Sequence, residues 1–255
     1  MSRFAGKSVI VTGGASGIGQ AICLRLAGEG AQVYVLDLTA ADGTIKAIVD
    51  AGGCGTAHEC DVSDHSMVAK VIASIAEQTG IDVLVNNAGI AHIGNVETTT
   101  EADFDRLFSV NVKGVYNTLS ATVPVMKAQQ AGVILNLASI ASSVGLTDRF
   151  AYSMTKGAVL TMTYSVARDY IDHGIRCNCV SPGRVHTPFV DQFLAENYPD
   201  DIDGMFDKLS KSQPIGRMGT AEEIAGLVAY LCSDDAAFIT GANVPIDGGF
   251  VTLNT

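Results

Sequence analysis

The sequence predicts an α/β domain built on a doubly wound, parallel β-sheet of about seven strands flanked by helices. Three observations carry that prediction. Short β-branched runs alternate with helical patterns along almost the whole chain, the mark of βαβ units with right-handed crossovers. The runs are apolar without strict alternation, as strands covered on both faces must be, and 47% hydrophobic against 17% charged residues agrees with that burial. No Pro/Gly/Ser-rich linker and no internal repeat divides the 255 residues, so 1–255 reads as one domain.

In chain order, Ser8-Val-Ile-Val-Thr12 is the first strand, followed by a helix from about Gly17 to Glu29. Ala31 to Leu36 is the second strand and Thr56 to Cys60 a weaker third. Ile81 to Val85, Val133 to Leu137 and Ile175 to Val180 follow, each after a helical pattern. A helix from about Ala151 to His173 lies between the last two. Arg184 to Gln213 breaks the rhythm as a polar and aromatic insertion, the expected substrate lid.

Composition narrows the function classes. A formal net charge of −11 with no basic cluster argues against nucleic acid or an anionic membrane as partner. No apolar run reaches the roughly 18 residues that span a bilayer, and Met1 to Lys7 leads straight into a strand without a secretory pattern, so a cytoplasmic protein is expected. The six cysteines show no metal spacing and read as small buried hydrophobes, with Cys177 and Cys179 on one face of a strand. The five histidines contain no His-Glu-x-x-His, so no metal site is expected.

The first strand ends in Thr12-Gly13-Gly14-Ala15-Ser16-Gly17-Ile18-Gly19. Glycines at a strand-to-helix turn let the backbone approach a pyrophosphate, which then rests on the helix N-terminus. That placement makes the domain Rossmann-like. Asp37, at the end of the second strand and followed by Leu38 rather than arginine, can accept from both adenosine ribose hydroxyls and repels a 2′-phosphate. NAD is therefore expected over NADP. Asp61-Val62, Asn87-Ala88-Gly89, Ser139 and Pro182-Gly183 stand at the ends of later strands, on the edge where open parallel sheets bind ligands.

Tyr152 and Lys156 are four residues apart on a helix and share a face. A phenol ordinarily ionises near pH ~10. Bringing it to about 7 needs ~4 kcal/mol of preference for the phenolate, about what an ammonium at ~4 Å supplies at an effective dielectric of ~20. The pair can therefore serve as a general base near neutrality.

Together these motifs resemble the single-domain branch of the short-chain dehydrogenase/reductase family, from about Gly6 to Gly249, with Asp247-Gly248-Gly249 matching as well. The resemblance implies a Ser139–Tyr152–Lys156–Asn111 tetrad. In it Tyr152 moves the hydroxyl proton, Ser139 bonds the substrate oxygen, Lys156 acidifies Tyr152 and holds the nicotinamide ribose, and Asn111 holds a water that continues the proton path. It also implies that Ile90 and Val110 line the cofactor groove, that Val185 and Thr187 meet the carboxamide, and that the protein is a homotetramer. An apolar Ala151–His173 helix and C-terminal segment Ala242–Leu253 agree with an interface.

Arg149, three residues before Tyr152, could clamp a substrate carboxylate, and His92 and His186 lie in loops expected at the pocket rim. Gly174 to Cys179 with Arg149 and His92 is similar to a sub-branch acting on 3-hydroxybutyrate, and sugar-acid dehydrogenases are also similar. The lid departs from the hydroxybutyrate pattern, showing Phe193 and Lys208 to Ser212 where that group has further arginines. The expected substrate is a small secondary alcohol or ketone: a hydroxy acid, a sugar acid or a polyol. The competing expectation is a catalytically silent dinucleotide-binding sensor or scaffold.

Overall fold

The first strand is buried at all five of its positions, and its side chains divide between two cores. Val9 and Val11 face one side of the sheet, Ile10 the other, because successive residues of a strand point to opposite faces. The computed structural model describes residues 2–253. Its main sheet has seven parallel strands in the order β3-β2-β1-β4-β5-β6-β9: β3 is Cys54–Glu59, β2 Gln32–Asp37, β1 Ser8–Thr12, β4 Val83–Asn86, β5 Gly132–Leu137, β6 Ile175–Pro182 and β9 Asn243–Ile246. A second, two-residue pairing joins β7 (Val185–His186) to β8 (Gly219–Thr220).

One core packs α1 (Gly17–Gly28) and α9 (Ala221–Cys232) on the Val9–Val11 face, with Ile22, Leu26, Val228 and Leu231 fully enclosed. The other packs α3 (His65–Thr79), α5 (Gly114–Gln129) and α6 (Phe150–Tyr170) on the Ile10 face. Cys177 and Cys179 do share that face, and burial pushes the Cys179 thiol up to about 11. Cys54 departs from the expected burial: it is exposed, because β3 is the sheet's edge strand and only lightly covered.

The strand order reverses between β1 and β4, which places a crevice at their carboxyl ends. Element ends shift by one or two residues from the sequence reading. β3 starts earlier and ends at Glu59, and the helix after β5 gives way at Ile171–His173 to a 3₁₀ turn. Two differences are larger. Between α4 (Glu101–Leu107) and α5, residues Phe108–Lys113 form a π-helical stretch that no periodicity foretold. The 184–213 insertion is largely helical, holding α7 (Pro188–Asn197) and α8 (Ile202–Lys211). Among the described residues no helix is long and apolar enough to cross a membrane.

Candidate active site

The turn after β1 requires its glycines. Gly13 and Gly17 have φ of 66° and 55°, a region that residues with a Cβ rarely enter. A Cβ on Gly19 would run into the Gly13 carbonyl oxygen, so the helix can approach the strand this closely only without one. Asp37 braces the turn from β2: its carboxylate accepts from the Ala15 N–H at 2.9 Å and from the Thr39 N–H and hydroxyl at 3.0 Å. Leu38 beside it is 66% exposed, whereas Ile18 packs partly into the core under the helix. Ser16 precedes α1 in an extended conformation without a side-chain cap, leaving the first-turn N–H groups open to the crevice.

β4 is latched to this turn. Thr12 Oγ1 accepts from the N–H groups of Asn87 (3.1 Å) and Ala88 (3.0 Å), and the Asn87 side-chain amide donates to the carbonyls of Thr12 and Gly13. Asn87 thus holds the cradle's shape. Farther along the edge, Asp61 turns the chain by accepting from Ser63, and the Val62 carbonyl accepts from buried Asn117 at 2.8 Å.

Asn111 lies in the π-helical stretch, buried, with its amide clasping both main-chain groups of Ile90 (2.8 and 2.9 Å) and donating to Thr155 at 3.1 Å. Gly89 lies against it: a Cβ there would sit 3.2 Å from Asn111 Oδ1 and 3.6 Å from Lys156 Nζ. Lys156 Nζ donates to the Leu137 carbonyl at 2.7 Å and stands 5.9 Å from the centre of the Tyr152 ring. Ser139, just past β5, is buried and accepts from the Ala141 N–H at 3.1 Å. The four tetrad residues therefore converge from β5, α6 and the π-helical stretch onto the crevice beside the glycine turn.

Their electrostatics differ from the sequence estimate in one respect. The Tyr152 phenol is raised, not lowered: burial dominates, and the Ser139 hydroxyl and the Arg149 charge oppose it without overcoming it. Burial also pulls the Lys156 pKa down to about 8, which weakens that side chain as a fixed positive charge.

On the other side, Pro182-Gly183 closes β6, with the Gly183 N–H on the Ile246 carbonyl. Val185 is buried, and Thr187 reaches across to the first turn, 3.7 Å from where a Cβ on Gly17 would be. Arg149 is the N-cap residue of α6 rather than part of the helix, held by a bridge to Gly94. It donates to the His92 carbonyl at 3.3 Å, so the main chain of His92, not its ring, meets it. The His92 ring lies between Gly94 and Asp103, and its Nε2 has no partner. His186 is tied into the lid by Asp191 at 2.7 Å and by the edge of Phe206.

Thr155 was not singled out from sequence, and Thr12 was named only as part of the glycine motif; both act through hydrogen bonds that only the fold discloses. Arg184 had a visible signal in following Pro182-Gly183 directly. A cavity of about 640 Å³ lies at the opposite, amino-terminal edge of the sheet, lined by Lys7, Asp82, Gly132 and Phe238, and none of the tetrad reaches it.

A family model described as enoyl-(acyl carrier protein) reductase matches residues 13–251. A relative named dehydrogenase/reductase SDR family member 6, from Aquarana catesbeiana, is 41% identical over 251 residues, covering 98% of this chain and 99% of its own. The chain belongs to the short-chain dehydrogenase/reductase family. This dehydrogenase/reductase is also 36% identical to 2-keto-3-deoxy-L-fuconate dehydrogenase of Xanthomonas campestris pv. campestris, over 98% of this chain and 81% of that one. Among solved structures, NAD⁺-bound xylitol dehydrogenase superposes with a TM-score of 0.90 at 33% identity, covering 96% of this chain and 99% of that one. The short-chain dehydrogenase/reductase is accordingly an oxidoreductase on a Rossmann-like sheet.

Proposed function

We propose that this protein is an NAD-dependent dehydrogenase/reductase that interconverts a small secondary alcohol and its ketone, with Tyr152 as the general acid/base. The observation that carries this reading is the convergence of Ser139, Tyr152 and Lys156 beside a glycine turn whose shape excludes any Cβ at Gly19.

The residues fit a dinucleotide. Gly13 to Gly19 and the open first turn of α1 would hold its pyrophosphate, Asp37 its adenosine ribose, and Val185 and Thr187 its carboxamide end. Ala15 and Thr39 take three of the roughly four lone-pair positions on the Asp37 carboxylate, leaving one on Oδ2 for a ribose hydroxyl, and its charge disfavours a 2′-phosphate. When bound, the nicotinamide supplies the hydride acceptor or donor. Ser139 orients the substrate oxygen and stabilises the charge that grows on it, a kind of preorganised donor whose removal costs ~100-fold or more. Tyr152 takes the hydroxyl proton during oxidation and returns it during reduction. Because the phenol is raised in this structure, the base requires added positive charge, which the oxidised cofactor brings. Lys156, balanced near pH 8, can pass the proton onward, and Asn111 fixes the wall behind it through Ile90 and Thr155.

The same reading includes a cytoplasmic homotetramer whose helical interfaces would cover Tyr116 of α5, Tyr164 of α6 and the fully exposed Phe238. Mass measurement in solution checks the assembly. Tyr152→Phe tests the chemistry: turnover with an alcohol that the wild type oxidises falls about 1,000-fold, within the range for a general acid/base, while NADH fluorescence still reports binding. Turnover surviving that substitution defeats the mechanism.

A further inference from the structure

A buried chain of side-chain hydrogen bonds crosses the core on the Ile10 face of the sheet. Thr118 Oγ1 donates to Asn86 Oδ1 at 2.6 Å, Asn86 Nδ2 to Asn136 Oδ1 at 2.9 Å, and Asn136 Nδ2 to Thr163 Oγ1 at 2.9 Å. Thr163 passes its own hydrogen to the Val159 carbonyl at 2.9 Å. No member of the chain is more than 3% exposed. The members come from α5, β4, β5 and α6 in turn, so four elements are joined through their side chains.

Apolar side chains of the same shape would hold these elements together without needing partners. Amides and hydroxyls demand each other at a set distance and angle, so the chain defines position as well as adhesion. Asn86 and Asn136 stand opposite each other in the β4–β5 register. A slip of two residues keeps every side chain on its own face, and a purely apolar pair of strands would tolerate it. Here it would set Asn136 beside Leu84 and leave both amides without partners.

The residues that follow the two amides belong to the site. Asn87 follows Asn86 and holds the carbonyls of Thr12 and Gly13. Leu137 follows Asn136, and its carbonyl accepts from Lys156 Nζ at 2.7 Å. Lys156, Val159 and Thr163 share the buried face of α6, with Thr163 about two turns beyond the lysine. Lys156 is therefore tied to β5 twice, directly through the Leu137 carbonyl and along the helix through Thr163 and the Asn136 amide. Facing the ammonium are that carbonyl, Gly89 and the Tyr152 ring. An ammonium on a flexible four-carbon stem has no fixed place of its own, so the seating of its helix decides where it stands.

We infer that Asn136 and Thr163 are positioning residues for Lys156: their hydrogen bond fixes the height of α6 on β5 and so keeps the ammonium on the Leu137 carbonyl, beside the phenol. Both are fully enclosed and act through the lysine alone. The inference rests on the dehydrogenase reading above and extends its machinery two turns beyond the chemistry.

The test compares Thr163→Val, which keeps volume and loses the hydroxyl, with Thr163→Ser, which keeps the hydroxyl. Ile72→Ala in α3 serves as the control, a cavity in the same core. Hydroxy acids, sugar acids and polyols are screened by NADH formation, and the best substrate is carried forward. Thr163→Val lowers kcat about 10- to 100-fold, the scale of a small misplacement, with KM and NADH affinity within about twofold. Thr163→Ser restores most of the rate. Asn136→Leu lowers kcat by a similar factor and adds little to Thr163→Val, as one shared contact requires; Thr163→Val alone decides should Asn136→Leu not fold.

A second readout needs no turnover. In protein labelled with ¹³C-lysine, the Cε resonance that Lys156→Met removes titrates at about 8 in the wild type. Thr163→Val moves that midpoint by about half a unit or more, downward if the ammonium stays buried without its carbonyl and upward if water reaches it. Thr163→Ser returns it. An unmoved midpoint, an unchanged kcat, or a kcat loss that Ile72→Ala matches at equal loss of stability overturns the inference and leaves the chain a structural clasp. Absence of NADH formation from every alcohol screened, with a midpoint that moves in Thr163→Val and returns in Thr163→Ser, defeats the dehydrogenase reading and leaves the positioning standing.

Discussion

The two walls of the crevice are built on opposite principles. On the β1–β4 side nearly every polar group is engaged inward: Thr12 with Asn87 and Ala88, Asp37 with Ala15 and Thr39, Asn111 with Ile90 and Thr155. What that wall offers a ligand is backbone shape. On the β5–β6 side the cations are held by neutral groups: Arg149 and buried Lys156 donate to carbonyls and Arg184 to a hydroxyl. The difference teaches that one wall keeps its shape through hydrogen bonds within itself, whereas the other holds its cations only through neutral groups.

Removing charge from the second wall has the largest expected effect on rate. Lys156→Met lowers turnover about 1,000-fold, on the scale of lost general acid/base participation. The same variant sharpens the electrostatic picture. Burial holds the Lys156 pKa at about 8 against 10.5 for an unburied lysine, so between those values the unfolded chain binds more protons than the folded one. Stability owed to this residue therefore rises with pH through that window and is least below pH 8. Urea unfolding should show the wild type gaining about 1–2 kcal/mol relative to Lys156→Met between pH 7 and 9.5. A gain in the reverse direction would mean the ammonium is stabilised where it lies.

Damage to the first wall acts through shape. Gly19→Ala drives a methyl group into the Gly13 carbonyl and should weaken NADH affinity about 100-fold or more, read by fluorescence titration. If affinity holds, the turn is not the cradle. Thr12→Val keeps volume but deprives two half-buried N–H groups of their acceptor, and an unfolding free energy lower by about 1–2 kcal/mol is expected. The smallest effect is on selectivity: Asp37→Asn removes the charge facing the ribose and narrows the NAD-over-NADP preference about 10-fold, measured as a ratio of kcat/KM values.

Much of this was legible in residue order. The first wall's glycines, Asp37 and the Tyr152-x-x-x-Lys156 pair are local patterns whose chemistry needs only strand, turn and helix periodicities. Six of the seven strands were found because they are short runs bounded by turns, and only their ends shifted; β9, Asn243–Ile246, was not assigned, since four residues within an apolar C-terminal segment carry no strand pattern of their own. The π-helical stretch was not legible, since 108–113 carries no periodicity distinct from the helices around it. Nor was the disposition of the histidines. His92 sits in a loop but His186 in the short strand β7, and their rings are turned to Asp103 and to Asp191 and Phe206 by packing that no spacing encodes.

By itself the sequence determined six strands of the sheet, the turn that precedes α1 and the placing of Tyr152 and Lys156 on one helix face, because these depend on contacts between residues a few positions apart or on hydrophobic period. Only the tertiary structure decided how those groups behave. Burial raised the Tyr152 phenol and weakened the Lys156 ammonium, reversing an estimate that assumed a solvated pair at close range. The fold also set Arg149 as the N-cap of α6, bridged to Gly94, and tied Arg184 to Ser212 of the insertion. Desolvation and long-range charge depend on what folds around a side chain, and that is written in no single stretch of it.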